Sequence, residues 1–341
     1  MLTGMRTLRI AILGCGWMAS QHAKALASLP STPVVAVCDT AQDRAAAFAI
    51  AHALGAEPFA DLGQMLDRAK PDAVYVVLPP FAHAGQVEQI AARGIHLFLE
   101  KPIALTAERA GSQTAAISRA GVVSQVGYHM RHGAAVRRLH RLINEGAAGR
   151  PTLFQGSYHC NALHGPWWRD RSRSGGQVLE QIIHIYDLAI HLLGDPVAAW
   201  GQLSNLCHQD VEGYTVEDTS VGTLRHAGGG MTTIAGSNCA VPNAWTARFS
   251  VVCEKVTATF TDANHADFAI IQADGTVRHE TVAGDDDLYA AESADFLTAI
   301  RERRAACAPV AHGLRSLEAV LAVGDSADRG GAPTLLPAPR N

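Results

Sequence analysis

The run Gly14-Cys15-Gly16-Trp17-Met18-Ala19 constrains this chain more than any other six residues. It follows the apolar stretch Arg9–Leu13 and opens a run of helix formers, so it reads as GxGxxA between a strand and a helix. Gly14 permits a tight turn, Gly16 lets a pyrophosphate approach the backbone, and Ala19 is small enough for helix to pack on strand. The helix N-terminus adds amide donors and partial positive charge. The prediction is a dinucleotide cradle.

Asp39 closes the second apolar strand 20 residues beyond Ala19, where a carboxylate accepts both hydroxyls of an adenosine ribose. That carboxylate repels a 2′-phosphate, and the next residues, Thr40 and Ala41, bring no arginine to hold one. NAD(H) is therefore expected over NADP(H). Trp17 and Met18 join Gly14, Gly16 and Asp39 as candidate cofactor contacts.

As far as Val126, short β-branched runs alternate with alanine-rich helical stretches, which is how a parallel sheet with crossover helices reads. The expected strands are Arg9–Leu13, Val34–Cys38, Ala73–Val77, His96–Leu99 and Val122–Val126. The expected helices are Ala19–Ser28, Gln42–Leu54, Leu62–Ala69, His83–Arg93 and Ala107–Ala120. From about Tyr128 the pattern changes. After helices at Ala134–Glu145 and Gly176–Leu193, strand-like runs follow one another through turns, which implies antiparallel pairing. The fold class expected is an α/β Rossmann domain plus an α+β C-terminal domain with a large, mainly antiparallel open sheet. The boundaries expected are 1–126 for the NAD-binding domain and 127–341 for substrate binding and oligomerisation, with a helix near 314–327 packing back on the first domain. Met1 to Gly4 read as a ragged start before Met5.

A chain of 341 residues exceeds what one hydrophobic core usually supports. Its net charge of -4 gives no general attraction for nucleic acid or anionic lipid. No stretch approaches the roughly 20 apolar residues that cross a membrane. Seven scattered cysteines without CxxC spacing fit free thiols in a cytoplasmic protein.

The strand His96–Leu99 runs into Glu100-Lys101-Pro102. Carboxyl ends of parallel strands open onto the ligand crevice, so Lys101 is expected near the nicotinamide end of a dinucleotide, where its ammonium polarises a substrate oxygen. Pro102 fixes the local backbone. Taken by itself, this element also reads as an ordinary surface turn.

Together these elements resemble the Gfo/Idh/MocA oxidoreductases, the family of glucose-fructose oxidoreductase and inositol dehydrogenase. The resemblance rests on GxGxxA, Asp39, Pro79-x-x-x-His83, Glu100-Lys101-Pro102 and Gly175-Gly176 followed by His184-x-x-Asp187. It implies that Lys101 is catalytic, that Pro79, His83 and Glu100 lie along the cofactor, and that polar residues after the last Rossmann strand, Tyr128, His129 and Arg131, contact substrate. Leu78 stands where the family has a small hydroxylated residue, so no side-chain hydrogen bond is expected there.

On a helical wheel, Val178, Ile182, Ile185, Ala189 and Leu192 share one face, and Leu179, Ile183, Tyr186 and Ile190 widen it. Glu180, His184, Asp187 and His191 form a polar strip on the remaining side. Oxidising a secondary alcohol requires removal of its hydroxyl proton as hydride leaves, and an imidazole near neutrality suits this. The resemblance makes His184 the acid/base and position 180 a substrate contact, although the family often has Asp where this chain has Glu180. No metal is expected, because hydride transfer to NAD already supplies the electron sink. The loop before the helix adds Trp168 and Arg169, since tryptophan beside polar groups suits stacking on sugar rings.

The expected activity is hydride transfer between nicotinamide and a hydroxyl-bearing carbon of a sugar, sugar derivative or cyclic polyol. The resemblance also implies a homodimer or homotetramer. Two rivals stand beside this reading. One is an NAD-dependent glycoside hydrolase using transient oxidation; the other is a non-catalytic NAD-binding sensor.

Overall fold

A computed structural model describes residues 6–338, so the expected ragged start at Met1 to Gly4 lies outside the described residues. The chain forms two compact units. One runs to Ala104 and adds Glu108–His129 and Asp287–Leu314; the other comprises Leu105–Ala107, Met130–Asp286 and the chain from Arg315.

The first unit is built on a six-stranded sheet ordered β3-β2-β1-β4-β5-β6, every pair parallel. Its strands are β1 Ile10–Leu13, β2 Val34–Cys38, β3 Glu57–Phe59, β4 Ala73–Val76, β5 His96–Leu99 and β6 Ser124–Val126. β1 and β4 are buried at every position, as strands covered by helices on both faces must be. The strand order reverses between β1 and β4, so the glycine turn after β1 lies at the switch point where such sheets bind ligands. Helices Leu62–Ala69 and Ala107–Ala120 fall where periodicity places them. β3, a three-residue strand containing a proline, was not read from sequence; it is an edge strand, where a missing N–H is tolerated.

The chain returns to this unit through Leu288–Glu302, a helix whose first turn is capped by the Asp287 carboxylate accepting from Tyr289 and Ala290. Phe296, Leu297 and Ile300 from that helix join Tyr75 and Phe98 in the core. Phe98 and Tyr75 stack at 4.6 Å, with Phe296 edge-on to both. Each such pair contributes about 0.5–1.5 kcal/mol beyond its buried area.

The second unit carries a nine-stranded sheet ordered β14-β13-β12-β11-β7-β10-β9-β8-β15. The strands are β7 Pro151–His159, β8 Pro196–Ser204, β9 Thr219–His226, β10 Met231–Ser237, β11 Thr246–Cys253, β12 Val256–Phe260, β13 His265–Ile271, β14 Val277–Ala283 and β15 Thr334–Leu335. Pairing is antiparallel except between β7 and β10. That exception arises because β7 inserts between β10 and β11 rather than beside its neighbour in sequence. β14 escaped the sequence reading since neither face is buried, which leaves no apolar alternation to detect.

The helix Ile183–Leu193 lies against β7 and β10. Beneath it, Phe154, Phe249 and Phe260 stack strand to strand at 5.4 and 4.2 Å. Among the described residues no helix is long and apolar enough to cross a membrane.

Candidate active site

Gly14 has φ +94, and a Cβ there would meet the Val77 carbonyl oxygen at 2.2 Å, so both conformation and space demand glycine. Gly16 caps the helix Trp17–Ser28 without a side-chain acceptor, which leaves the first-turn N–H groups for a ligand. A Cβ on Gly16 would meet nothing within 4 Å. Open space above uncapped amides is what a pyrophosphate needs. Trp17 points outward, 70% exposed, whereas Met18 packs on the core.

Asp39 follows β2 and folds against this turn. Its Oδ2 accepts the Cys15 N–H at 3.1 Å and its Oδ1 accepts the Ala41 N–H at 3.0 Å. Burial works against its charge, but the Arg44 guanidinium and the Ala41 and Cys15 amides outweigh burial and hold the carboxyl below its ordinary range. Arg44 lies beyond Thr40 and Ala41, the residues next to Asp39, and so carries no signal in the local sequence. One helical turn brings it back from position 44 onto the Asp39 carboxylate. The glycine turn and its acid fit a dinucleotide.

Pro79 caps the 3-10 turn Pro80–Ala82. His83, just after it, is buried and accepts at Nδ1 from Gln113 Nε2 at 3.3 Å. Burial pushes its pKa down to about 4, so the ring stays neutral. Glu100 is held from two sides: His22 Nε2 donates to Oε1 at 2.7 Å, and the Lys101 backbone N–H donates to Oε2 at 3.1 Å. Lys101, half-buried, is joined to Pro102 by a cis peptide. Behind Glu100 lies Glu292, fully buried, with neither carboxyl oxygen hydrogen-bonded. Burial, then the charges of Glu100 and Asp287, push its pKa well up, which favours the protonated form. Tyr128 is buried, and the His129 ring lies 4.9 Å from that of Tyr289.

In the second unit the Gly175-Gly176 element has a physical cause. A Cβ on Gly176, at φ +97, would come 2.4 Å from the buried Glu217 carboxylate, whose Oε1 accepts the Val178 N–H at 2.7 Å. Glu217 thus anchors the start of the next helix, a role with no local sequence signal. That helix opens with a π turn, Val178–Ile182, before the α-helix Ile183–Leu193. An ideal wheel drawn from Gly176 misses this insertion; π turns recur at functional sites. Glu180 sits in the π turn, and its Oε2 accepts from Trp168 Nε1 at 2.8 Å. His184, in the first α turn, is buried.

The strip expected to run from Glu180 to His191 does not continue as an open polar face. Asp187 is buried in a two-pronged pair with Arg131, whose Nε and terminal nitrogen both lie 2.7 Å from its oxygens, and Ser316 Oγ adds a third bond at 2.8 Å. His191 stacks on His140 at 4.1 Å. Arg131, expected as a substrate contact, thus pairs with the helix through Asp187. Trp168, 2% exposed, packs with Tyr214 and Val216. Arg169 donates to the Leu163 and His164 carbonyls, bracing the loop before it.

A doubly wound parallel sheet with a glycine turn at its switch point and an acid after β2 defines the first unit as an NAD-binding Rossmann unit. Residues 8–128 match the family model described as "Oxidoreductase family, NAD-binding Rossmann fold", and residues 136–259 match the "GFO/IDH/MocA C-terminal domain". The chain belongs to the GFO/IDH/MocA family of oxidoreductases.

It is 31% identical over 194 residues to scyllo-inositol 2-dehydrogenase (NAD(+)) of Bacillus subtilis (strain 168), a stretch covering 56% of each chain. Against inositol 2-dehydrogenase of Rhizobium meliloti (strain 1021), identity is 29% over 329 residues, 95% of this chain and 96% of that one. The match thus spans little more than half of the first relative and nearly all of the second. Levoglucosan dehydrogenase in complex with NADH and levoglucosan superposes with a TM-score of 0.88 over 97% of this chain and 99% of that one. At 22% identity that likeness is one of fold.

Proposed function

We propose that this chain is an NAD(H)-dependent dehydrogenase acting reversibly on a hydroxyl-bearing carbon of a sugar, sugar derivative or cyclic polyol. The observation that carries the reading is the Gly14 to Gly16 turn with the Asp39 carboxylate folded against it. When bound, the oxidised nicotinamide supplies a hydride acceptor. The chain's own residues must then take the hydroxyl proton and grip the neighbouring hydroxyls. In this reading Lys101 polarises the reacting oxygen and His184 takes the proton at an imidazole nitrogen. Glu180, oriented by the Trp168 indole N–H, accepts from an adjacent hydroxyl. The names of the inositol dehydrogenases similar to this chain support the substrate class.

Cofactor binding is assigned to residues 1–126, and substrate binding and oligomerisation to 127–341, of which Asp287–Leu314 fold with the first unit. NAD(H) is the preferred cofactor, a reading supported by the ionised Asp39 carboxylate after β2, which would oppose a 2′-phosphate. A homodimer or homotetramer forms through the outer face of the nine-stranded sheet, where Val221, Met231, Ile271 and Val277 share one side and are about half exposed. The compartment assigned is the cytoplasm.

The test is a panel of sugars, cyclic polyols and sugar acids scanned for NADH formation, with NADP in parallel and light scattering for subunit number. Net NADH from a polyol or sugar supports the reading. Release of an aglycone without net NADH overturns it in favour of hydrolysis.

A further inference from the structure

Two of the seven cysteines lie together although 32 residues separate them in sequence. Cys207 is in the loop between β8 and β9, and Cys239 is in the loop leaving β10. Their sulfur atoms and an Asp218 carboxylate oxygen lie within 4.8 Å of one another. Both loops are held. Asp218 accepts the Leu206, Cys207 and His208 N–H groups at 2.9, 2.7 and 3.1 Å, and the Asn238 N–H donates to the Asp218 carbonyl at 2.7 Å.

A thiophilic metal is the first use to consider for two cysteines and an aspartate. The Asp218 carboxylate argues against it. Besides those three amides it accepts from His208 Nδ1 at 3.0 Å and Thr219 Oγ1 at 3.1 Å, so its lone pairs are committed within the fold. The sulfur pair is what remains available.

We infer that Cys207 and Cys239 form a reversible disulfide, making this loop pair a redox modification site on the second unit. The two thiols play different parts. Cys207 is exposed and meets the oxidant; Cys239 is half-buried, with its Sγ 3.9 Å from the Asp218 carbonyl. Burial, then hydrogen bonding to Cys207, push the Cys239 thiol up to about 12.

With a small-molecule disulfide as oxidant, the Cys207 thiolate attacks one sulfur, forms a mixed disulfide and expels one thiolate. Cys239 then gives its proton to solvent, and its sulfur displaces the second thiolate from Cys207. Two protein thiols become one disulfide while the small disulfide is reduced to two thiols. Closing the bond ties down the loop carrying Tyr214. That ring is stacked on His208 at 4.6 Å, bonded by Asn238 at 2.9 Å and 6.3 Å from Trp168, the partner of Glu180.

The experiment treats the folded full-length protein with glutathione disulfide and follows free thiols, intact mass and the map of linked peptides. The expected wild-type product is two hydrogens lighter, has two fewer free thiols, joins the Cys207 and Cys239 peptides, and is restored by dithiothreitol. Cys239→Ser should stop at a glutathione adduct on Cys207, and Cys207→Ser should gain no link. A persistent wild-type adduct on Cys207, a link through another cysteine, no reaction, or a stoichiometric zinc ion that blocks oxidation overturns the proposal.

Discussion

His22 Nε2 lies 2.7 Å from Glu100 Oε1, and both side chains are buried. The other Glu100 oxygen holds the Lys101 amide. One carboxylate thus links the glycine-turn helix to the turn that presents Lys101. Glu292 completes the cluster as a neutral acid, because a second charge at that site would be neither solvated nor paired.

That protonation state has a sign in stability. The folded-state pKa of Glu292 is raised, so folding favours the protonated form. Its contribution is fully present below the ordinary carboxyl value of 4.5 and declines as pH rises toward the folded value. Glu292→Gln keeps the shape and cannot ionise. Thermal unfolding across pH should show the variant gaining on wild type as pH rises from about 5 to 8. A constant gap between the two would mean that Glu292 is charged in the fold.

Gly14 and Gly16 separate a folding role from a binding role. Gly14→Ala sets a Cβ against the Val77 carbonyl at positive φ and should cost at least about 2 kcal/mol in chemical denaturation. Gly16→Ala meets no protein atom, so it should unfold like wild type while weakening NAD about tenfold or more by calorimetry. Unchanged NAD affinity in Gly16→Ala would remove the pyrophosphate from this turn.

Arg44 bears on cofactor choice. Wild type should favour NAD because Asp39 engages the guanidinium and opposes a 2′-phosphate. Asp39→Ser should free Arg44 and shift the ratio of kcat/KM for NAD over NADP toward NADP by at least about tenfold. Adding Arg44→Ala should abolish that gain. Equal use of both cofactors by wild type would defeat the charge argument.

Breaking one side of the buried Arg131–Asp187 pair should be costly. Asp187→Ala removes a buried carboxylate from a guanidinium at 1% exposure and is expected to lose about 3–5 kcal/mol of stability. A loss of turnover at full stability would instead place Arg131 on the substrate.

The parts readable from sequence are those carried by local pattern: the glycine turn, Asp39, the alternation of the first unit and the apolar faces of the long helices. What escaped depends on residues meeting across the chain. Arg44 meets Asp39 only after a helical turn, Glu292 reaches Glu100 from a distant helix, and Asp187 finds Arg131 rather than an open face. The π turn at Glu180 departs from the 3.6-residue period on which a wheel relies. β14, exposed on both sides, carries no apolar alternation.

In the proposed reaction Lys101 and His184 move a substrate proton while hydride passes to NAD. Its most direct test is NADH formation from an active polyol or sugar by the Lys101→Ala, His184→Ala double variant, with NAD affinity measured on the same sample. Turnover should fall by about 10²–10⁴-fold or more with NAD still bound. Wild-type turnover in that variant would contradict the account.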